Sequence, residues 1–223
     1  MTDRLLLIRH GVTTWNREGR FQGHLDAPLG DDGRLEASLL GERLAGEDLA
    51  QARLVTSPLG RAAETARIVA RAAGLRGPES DSRLMEIGQG EWEGRTHAEL
   101  VEQDGERYAA WRARAGEDQP PGAETIAAAL ERVSAALDEL GADLAPTICV
   151  VSHGGLLRLA ARHLLSLQAR RAWLMDVDNA SLSELQRVGS GDGWRLVRWN
   201  DTAHLLGRTS QHLDETEGEP LAL

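Results

Sequence analysis

Thr147-Ile148-Cys149-Val150-Val151-Ser152-His153-Gly154-Gly155 leads straight into the apolar series Leu156 to Leu167. Thr147 to Val151 is short, apolar and rich in β-branched side chains, so it reads as a buried strand. The series after the glycine pair is long enough for a helix. A strand that hands over to a helix across so few residues is the local mark of an α/β domain.

The same handover recurs outward from this stretch. Leu5-Leu6-Leu7-Ile8 reads as a buried first strand and runs into Arg9-His10-Gly11. Leu54-Val55-Thr56-Ser57 reads as a second strand and meets Pro58. Ser57 before Pro58 predicts an N-cap with proline at the first helical position, for a helix through Ala62, Ala66, Ile68, Val69 and Ala73 that closes at Gly74. Leu35, Leu39, Leu40 and Leu44 predict a covering helix between Gly33 and Gly46, and Ile126, Leu130, Val133, Leu137 and Leu140 predict another over 124–140. Residues 181–187 and 194–199, flanking the glycine-rich 189–193, predict a hairpin. The expected fold is α/β: a mostly parallel central sheet flanked by helices, with an edge hairpin near the C-terminus.

Residues 88–122 depart from this rhythm. Thr96 and Glu99 form a capping box for a short helix, Tyr108 and Trp111 suggest another, and Gln119-Pro120-Pro121-Gly122 ends the piece, which reads as a helical lid-like insertion. Trp92 and Trp111 either line a pocket or pack this lid on the body. The acidic, aperiodic stretch 207–223 reads as a loose tail, which leaves 1–206 as a single domain.

Composition narrows the function. The chain has 223 residues, 35 acidic and 25 basic side chains and a net charge of −10, and every one of the 25 is arginine. That balance argues against nucleic acid, whose binding needs a basic face. The single Cys149 excludes an intramolecular disulfide framework and suits a reducing cytoplasm. No signal peptide or membrane span is expected, because the first apolar run ends at Arg9.

Chemistry concentrates where strands end, the edge at which open α/β sheets build sites. Arg9 and His10 follow the first strand, Arg61 follows the second and His153 the third. Two guanidinium groups and two imidazoles at one point suit a phosphoryl group, since arginine forks match phosphate oxygens and neutral imidazole is a nucleophile. Adjacent arginine charge keeps His10 deprotonated. A helix starting at Gly154 or Gly155 would aim free N–H groups at an anion.

At this point the residues carry a resemblance. Leu7-Ile8-Arg9-His10-Gly11-Val12-Thr13-Thr14-Trp15-Asn16 resembles the Arg-His-Gly signature of the histidine phosphatase superfamily, which includes phosphoglycerate mutases and many phosphatases. So do Phe21 to Leu29, Thr56 to Ala62, Leu84 to Gly88 with Trp92-Glu93-Gly94, and Val151 to Gly155, in order and spacing. The resemblance covers roughly residues 4 to 205. It implies that His10 attacks phosphorus and carries a phosphohistidine. It implies that Arg9, Arg61 and His153 hold the phosphoryl oxygens, with Asn16, Gln22 and Gly154 adding contacts. Glu86 would be the general acid and base, which calls for a raised carboxyl pKa, with Glu91 and Glu93 as rivals nearby. No metal and no cofactor are expected, because the arginines and His153 supply the positive charge.

The leading function is hydrolysis of small phosphomonoesters. The alternatives are a cofactor-dependent phosphoglycerate mutase and a non-catalytic phosphate-binding member of the fold. The segment Glu86 to Thr96 has no lysine and no adjacent arginine pair, and it looks more like the broad-specificity and ribazole phosphatases. The expected partner is a small-molecule phosphate ester, with neither nucleic acid nor membrane, for a monomer or a homodimer. Arg95, Arg107, Arg112 and Arg114 are candidates to reach a second anionic group. Asn200, Asp201 and His204 resemble a phosphatase-type ending without assigned chemistry.

Overall fold

The computed structural model describes residues 1–113, 119–189 and 193–207. The sheet is built from β1 (Arg4–Arg9), β2 (Arg53–Thr56), β3 (Glu79–Ser80), β4 (Thr147–Ser152), β5 (Leu182–Arg187) and β6 (Trp194–Asp201). The helices are α1 (Thr14–Arg17), α2 (Asp31–Leu44), α3 (Gly60–Ala73), α4 (His97–Ala113), α5 (Ile126–Gly141), α6 (Gly154–Leu164) and α7 (Ala169–Trp173). Strand order is β3-β2-β4-β1-β5-β6. The β3, β2, β4 and β1 pairings are parallel, whereas β5 and β6 are antiparallel and form the edge hairpin. This is the mostly parallel α/β sheet that the sequence predicts.

Strand alternation divides the core. Leu5 and Leu7 pack with Val133, Leu137, Leu156 and Leu159 of α5 and α6. Leu6 and Ile8 pack with Ala37, Leu40, Ala62, Ala66 and Val69 of α2 and α3. A strand buried on both faces needs the unbroken run Leu5 to Ile8, each side chain stabilising the fold by about 1.5–3 kcal/mol. In register, Arg9 lies beside Ser152 and Thr56 beside Val151, so β1, β2 and β4 deliver their carboxyl ends to one edge.

Local boundaries differ from the sequence expectation in three places. The helix after β2 starts at Gly60 with Leu59 as N-cap, not at Pro58, because the Ser57 hydroxyl is engaged by His153 as well as by the Leu59 N–H. The helix expected over 124–140 begins at Ile126, capped by the Thr125 hydroxyl, and the one expected to reach Leu167 ends at Leu164. The two helices expected in the insertion are both present within α4 and meet at Asp104, whose φ of −143° and ψ of 36° are not helical.

The Thr96–Glu99 capping box is present, and Gly74 takes the left-handed conformation that closes α3. Trp92 and Trp111, 2% and 4% exposed, pack with Tyr108 around Phe21 of the body, with ring centroids 5.4–5.6 Å from that ring for the two tryptophans. They are lid packing, not pocket lining. Among the described residues no helix is long and apolar enough to cross a membrane. Arg114, part of the loop 189–193, and the tail from 208 onward lie outside the described residues.

Candidate active site

His10 leaves the end of β1 with its ring buried, and its Nδ1 is 2.7 Å from the carbonyl oxygen of Gly11. A carbonyl only accepts, so Nδ1 carries the proton and Nε2 keeps its lone pair. Burial first, then the charges of Arg61 and Arg9, push the His10 pKa well below its ordinary value. The ring is therefore a neutral base near neutral pH, in the tautomer that leaves Nε2 nucleophilic.

Three cationic or N–H-bearing groups surround it. The His153 ring lies 5.2 Å from the His10 ring, and its Nε2 is 2.8 Å from the Ser57 hydroxyl. Arg9 donates through Nη1 to the Val177 carbonyl at 2.6 Å. Arg61 donates to the Leu25 and Gly23 carbonyls at 2.9 and 2.8 Å. These bonds use Arg9 Nη1 and both terminal nitrogens of Arg61, while Arg9 Nε, Arg61 Nε and His153 Nδ1 are buried without a hydrogen-bond partner among the described residues. Buried donors left unpaired cost roughly 1–3 kcal/mol each, so their grouping around one imidazole describes a receptor for acceptor oxygens. Burial lowers the pKa of His153 as well, reinforced by Arg61, His10 and Arg9.

Glu86 docks on the N-terminus of α6. Its Oε1 accepts from the N–H groups of Leu156 and Ile87 at 3.0 and 2.9 Å, and its Oε2 from Gly155 at 3.1 Å. The helix N–H groups expected to face a ligand anion thus face this carboxylate at Gly155 and Leu156, because the 3₁₀ turn Ser82–Leu84 sets Glu86 against the start of α6. Gly154 itself passes close to Arg9: a Cβ there would sit 3.4 Å from the guanidinium carbon. Asn16 Oδ1 accepts from the Thr13 backbone and hydroxyl at 3.0 and 2.9 Å, capping α1. The Oε1 of buried Gln22 lies 3.2 Å from the same hydroxyl. The structure thus gathers Arg9, His10, Arg61, Glu86, His153 and Gly154 at the carboxyl edge of the sheet, with Asn16 and Gln22 joined through Thr13.

The family profile described as "Histidine phosphatase superfamily (branch 1)" matches residues 5–202. The chain belongs to the histidine phosphatase superfamily. It is 34% identical over 203 residues to phosphoserine phosphatase 1 of Hydrogenobacter thermophilus, covering 91% of this chain and 94% of that protein. It is also 34% identical over 203 residues to phosphoglycerate mutase-like protein 4 of Arabidopsis thaliana, covering 90% and 86%. A putative alpha-ribazole-5'-P phosphatase from Escherichia coli superposes with a TM-score of 0.80 at 31% identity, covering 91% and 98%. The superfamily thus gives relatives with phosphatase names and with mutase names.

Other residues around this candidate site of the superfamily member were not among the sequence candidates. Ser57 holds His153. Asn179 donates to the His10 carbonyl at 3.0 Å. Thr65 accepts from the Gly11 N–H at 3.0 Å and buried Glu36 from the Val12 N–H at 2.8 Å. Burial pushes the Glu36 carboxyl pKa up, against the pull of that N–H and of Arg9 and Arg17. A serine before proline had a sequence signal, but for capping; the others sit on helices or loops with no local motif.

The rivals of Glu86 are placed elsewhere. Glu93 accepts from the Gln89 and His24 N–H groups, both at 2.9 Å, and ties the lid to the loop 23–26, while Glu91 is exposed. His24 Nε2 donates to the Glu86 carbonyl, His97 meets the Tyr108 hydroxyl and His163 meets Asp138. Asn200 bonds the backbone and carboxylate of Asp178, and Asp201 pairs with Arg43 at 2.5 Å beside His204. These contacts fasten the end of β6 to its neighbours, and Arg43 with Ala203 holds the Asp201 carboxyl down to about 2. Cys149 is fully buried and its thiol is pushed up to about 12. Among the described residues no group of three or more His, Cys, Asp or Glu side chains is arranged to hold a metal ion.

Proposed function

We propose that the chain is a phosphatase that hydrolyses small phosphomonoesters through a phosphohistidine on His10. The observation that carries this reading is the neutral His10 ring, its Nδ1 proton held by Gly11, set among the unpartnered donors of Arg9, Arg61 and His153. Those donors would take the phosphoryl oxygens and offset the charge that develops on them. Nε2 forms the P–N bond as the ester P–O bond breaks, and Glu86, entering this step in its protonated form, passes that proton to the departing oxygen. Water then attacks the phosphohistidine and gives its proton to Glu86. The P–N bond breaks, inorganic phosphate leaves and neutral His10 returns.

Hydrolysis is favoured over the mutase alternative by the lid. Arg95 bonds Gln103, Arg107 pairs with Asp104 and Arg112 lies 6.0 Å over the Tyr108 ring, so these cations are committed within α4 and its approach. Among the described residues, these three candidates therefore have partners other than the second anionic group of a phosphoglycerate. The net charge of −10 supports a small ester over a polyanionic partner. The relative named a phosphoserine phosphatase supports the same class of substrate.

The test is release of phosphate from an aryl phosphate with chelator present, alongside mutase turnover primed with bisphosphoglycerate. The expected result is hydrolysis that His10→Ala abolishes and mutase turnover below it. Full activity in His10→Ala, or no turnover by the parent protein, overturns the reading. Mutase turnover far above phosphate release replaces it with the mutase.

A further inference from the structure

The peptide between Gly11 and Val12 has a second role. Its carbonyl accepts the Nδ1 proton of His10 at 2.7 Å, and its N–H, on the opposite side of the same trans peptide, donates to Glu36 Oε2 at 2.8 Å. The result is one line of polar groups: carboxylate, peptide N–H, peptide carbonyl, imidazole Nδ1–H. Glu36 is 1% exposed, so this line runs through a medium that does not screen it.

The approach of α2 makes the contact possible. A Cβ on Gly33 would sit 2.1 Å from the Val12 carbonyl oxygen and 2.9 Å from the Val12 nitrogen, so only glycine lets the helix come this near. Glu36 lies three residues further along, on the same face. The Gly11 N–H is tied separately to Thr65 of α3, which fixes the neighbouring peptide without adding charge.

We infer that Glu36 is a positioning residue that works on the nucleophile through this peptide: its carboxylate polarises the Gly11–Val12 unit, which holds the His10 proton on Nδ1 and raises the basicity of Nε2. Linked hydrogen bonds strengthen one another, and a negative end stabilises the positive charge that His10 gains on taking the phosphoryl group. The arrangement does for His10 what a directly bonded carboxylate does for a catalytic histidine, with a peptide in between. This rests on His10 being the nucleophile proposed above.

The experiment uses ¹⁵N-histidine-labelled full-length protein and Glu36→Gln, which keeps an acceptor for the Val12 N–H and removes the charge. The wild-type spectrum should show His10 as the Nδ1–H tautomer, and Glu36→Gln should move that proton resonance upfield. Its kcat for an aryl phosphate should fall about tenfold, a larger change than that in KM. Thr65→Val, which loosens the adjacent peptide without altering charge, should leave the resonance in place.

An unmoved resonance with wild-type kcat in Glu36→Gln overturns the inference. So does an equal movement in Thr65→Val, which would trace the effect to loop displacement. If Glu36→Gln does not fold, the wild-type spectrum decides: His10 as the Nε2–H tautomer overturns the coupling. No ester turnover by the wild type, with the resonance still responding to Glu36→Gln, removes the phosphatase reading and leaves the coupling intact.

Discussion

Acidification from about pH 7.5 to about pH 5 should strip stability from this fold through two residues, His10 and His153. Both rings are buried, and both have pKa values held well below 6.5, chiefly by desolvation and then by the neighbouring arginines. The folded state therefore resists protonation of both rings, while the unfolded chain takes up a proton on each below about pH 6.5. The sign follows: their contribution is intact above that value and drains as pH falls toward the depressed folded values.

Each histidine contributes up to about 1.4 kcal/mol per pH unit between its unfolded value and its depressed folded one, so the loss grows as pH falls through that interval. The assay is urea unfolding at several pH values in buffers free of phosphate and sulfate, comparing wild type with a His10→Asn/His153→Asn double variant. Subtraction removes the other titrating groups, including His204, held down to about 4. A double variant whose stability falls with pH as steeply as the wild type would refute the placement of neutral imidazoles beside two buried arginines.

Inorganic phosphate should stabilise the protein by about 2.7 kcal/mol at a hundredfold excess over its Kd, read as a rise in Tm, and Arg61→Met should lose that rise. An undiminished rise in the variant would remove Arg61 from the receptor. Gly33→Ala should cost about 1–3 kcal/mol in urea unfolding, since its methyl group would collide with the Val12 carbonyl, and should lower kcat as well. Ser57→Ala takes the partner from His153 Nε2 and should cost about 1–3 kcal/mol, with a lower kcat for an aryl phosphate. A wild-type rate in that variant would show that His153 is held without Ser57.

Much of the scaffold is legible in short runs. Leu5 to Ile8, Leu54 to Thr56 and Thr147 to Val151 are strands because each is apolar, β-branched or both, and bounded by turn signals, and their parallel pairing brings Arg9, Arg61 and His153 to one edge. What stays hidden is set by pairing, not by local pattern. Ser57 looks like a helix cap until β2 and β4 align and bring it to His153, 96 residues away. Glu36 reads as a polar position on a surface helix, and only the Gly33 contact turns it inward onto Val12. Gly155 reads as an open anion site until Glu86, 69 residues earlier, fills it. Asn16 reads as a ligand contact, while the Thr13 N-cap gives its oxygen a local use.

The antiparallel course of β5 beside β1 has a consequence for how activity arises during folding. Because β5 runs opposite to its neighbour, the chain entering it passes the edge that carries the candidate site and brings Val177 to Arg9 and Asn179 to His10 across sequence separations of 168 and 169 residues. Contacts that close such long loops carry the largest entropic cost and tend to form late. A ribosome-bound chain that has not yet emitted Asn179 could fold β1, β2 and their helices and still hold His10 in an unfinished frame. Recovery of turnover during refolding would then lag behind recovery of helix signal, and would time the docking of the last strands.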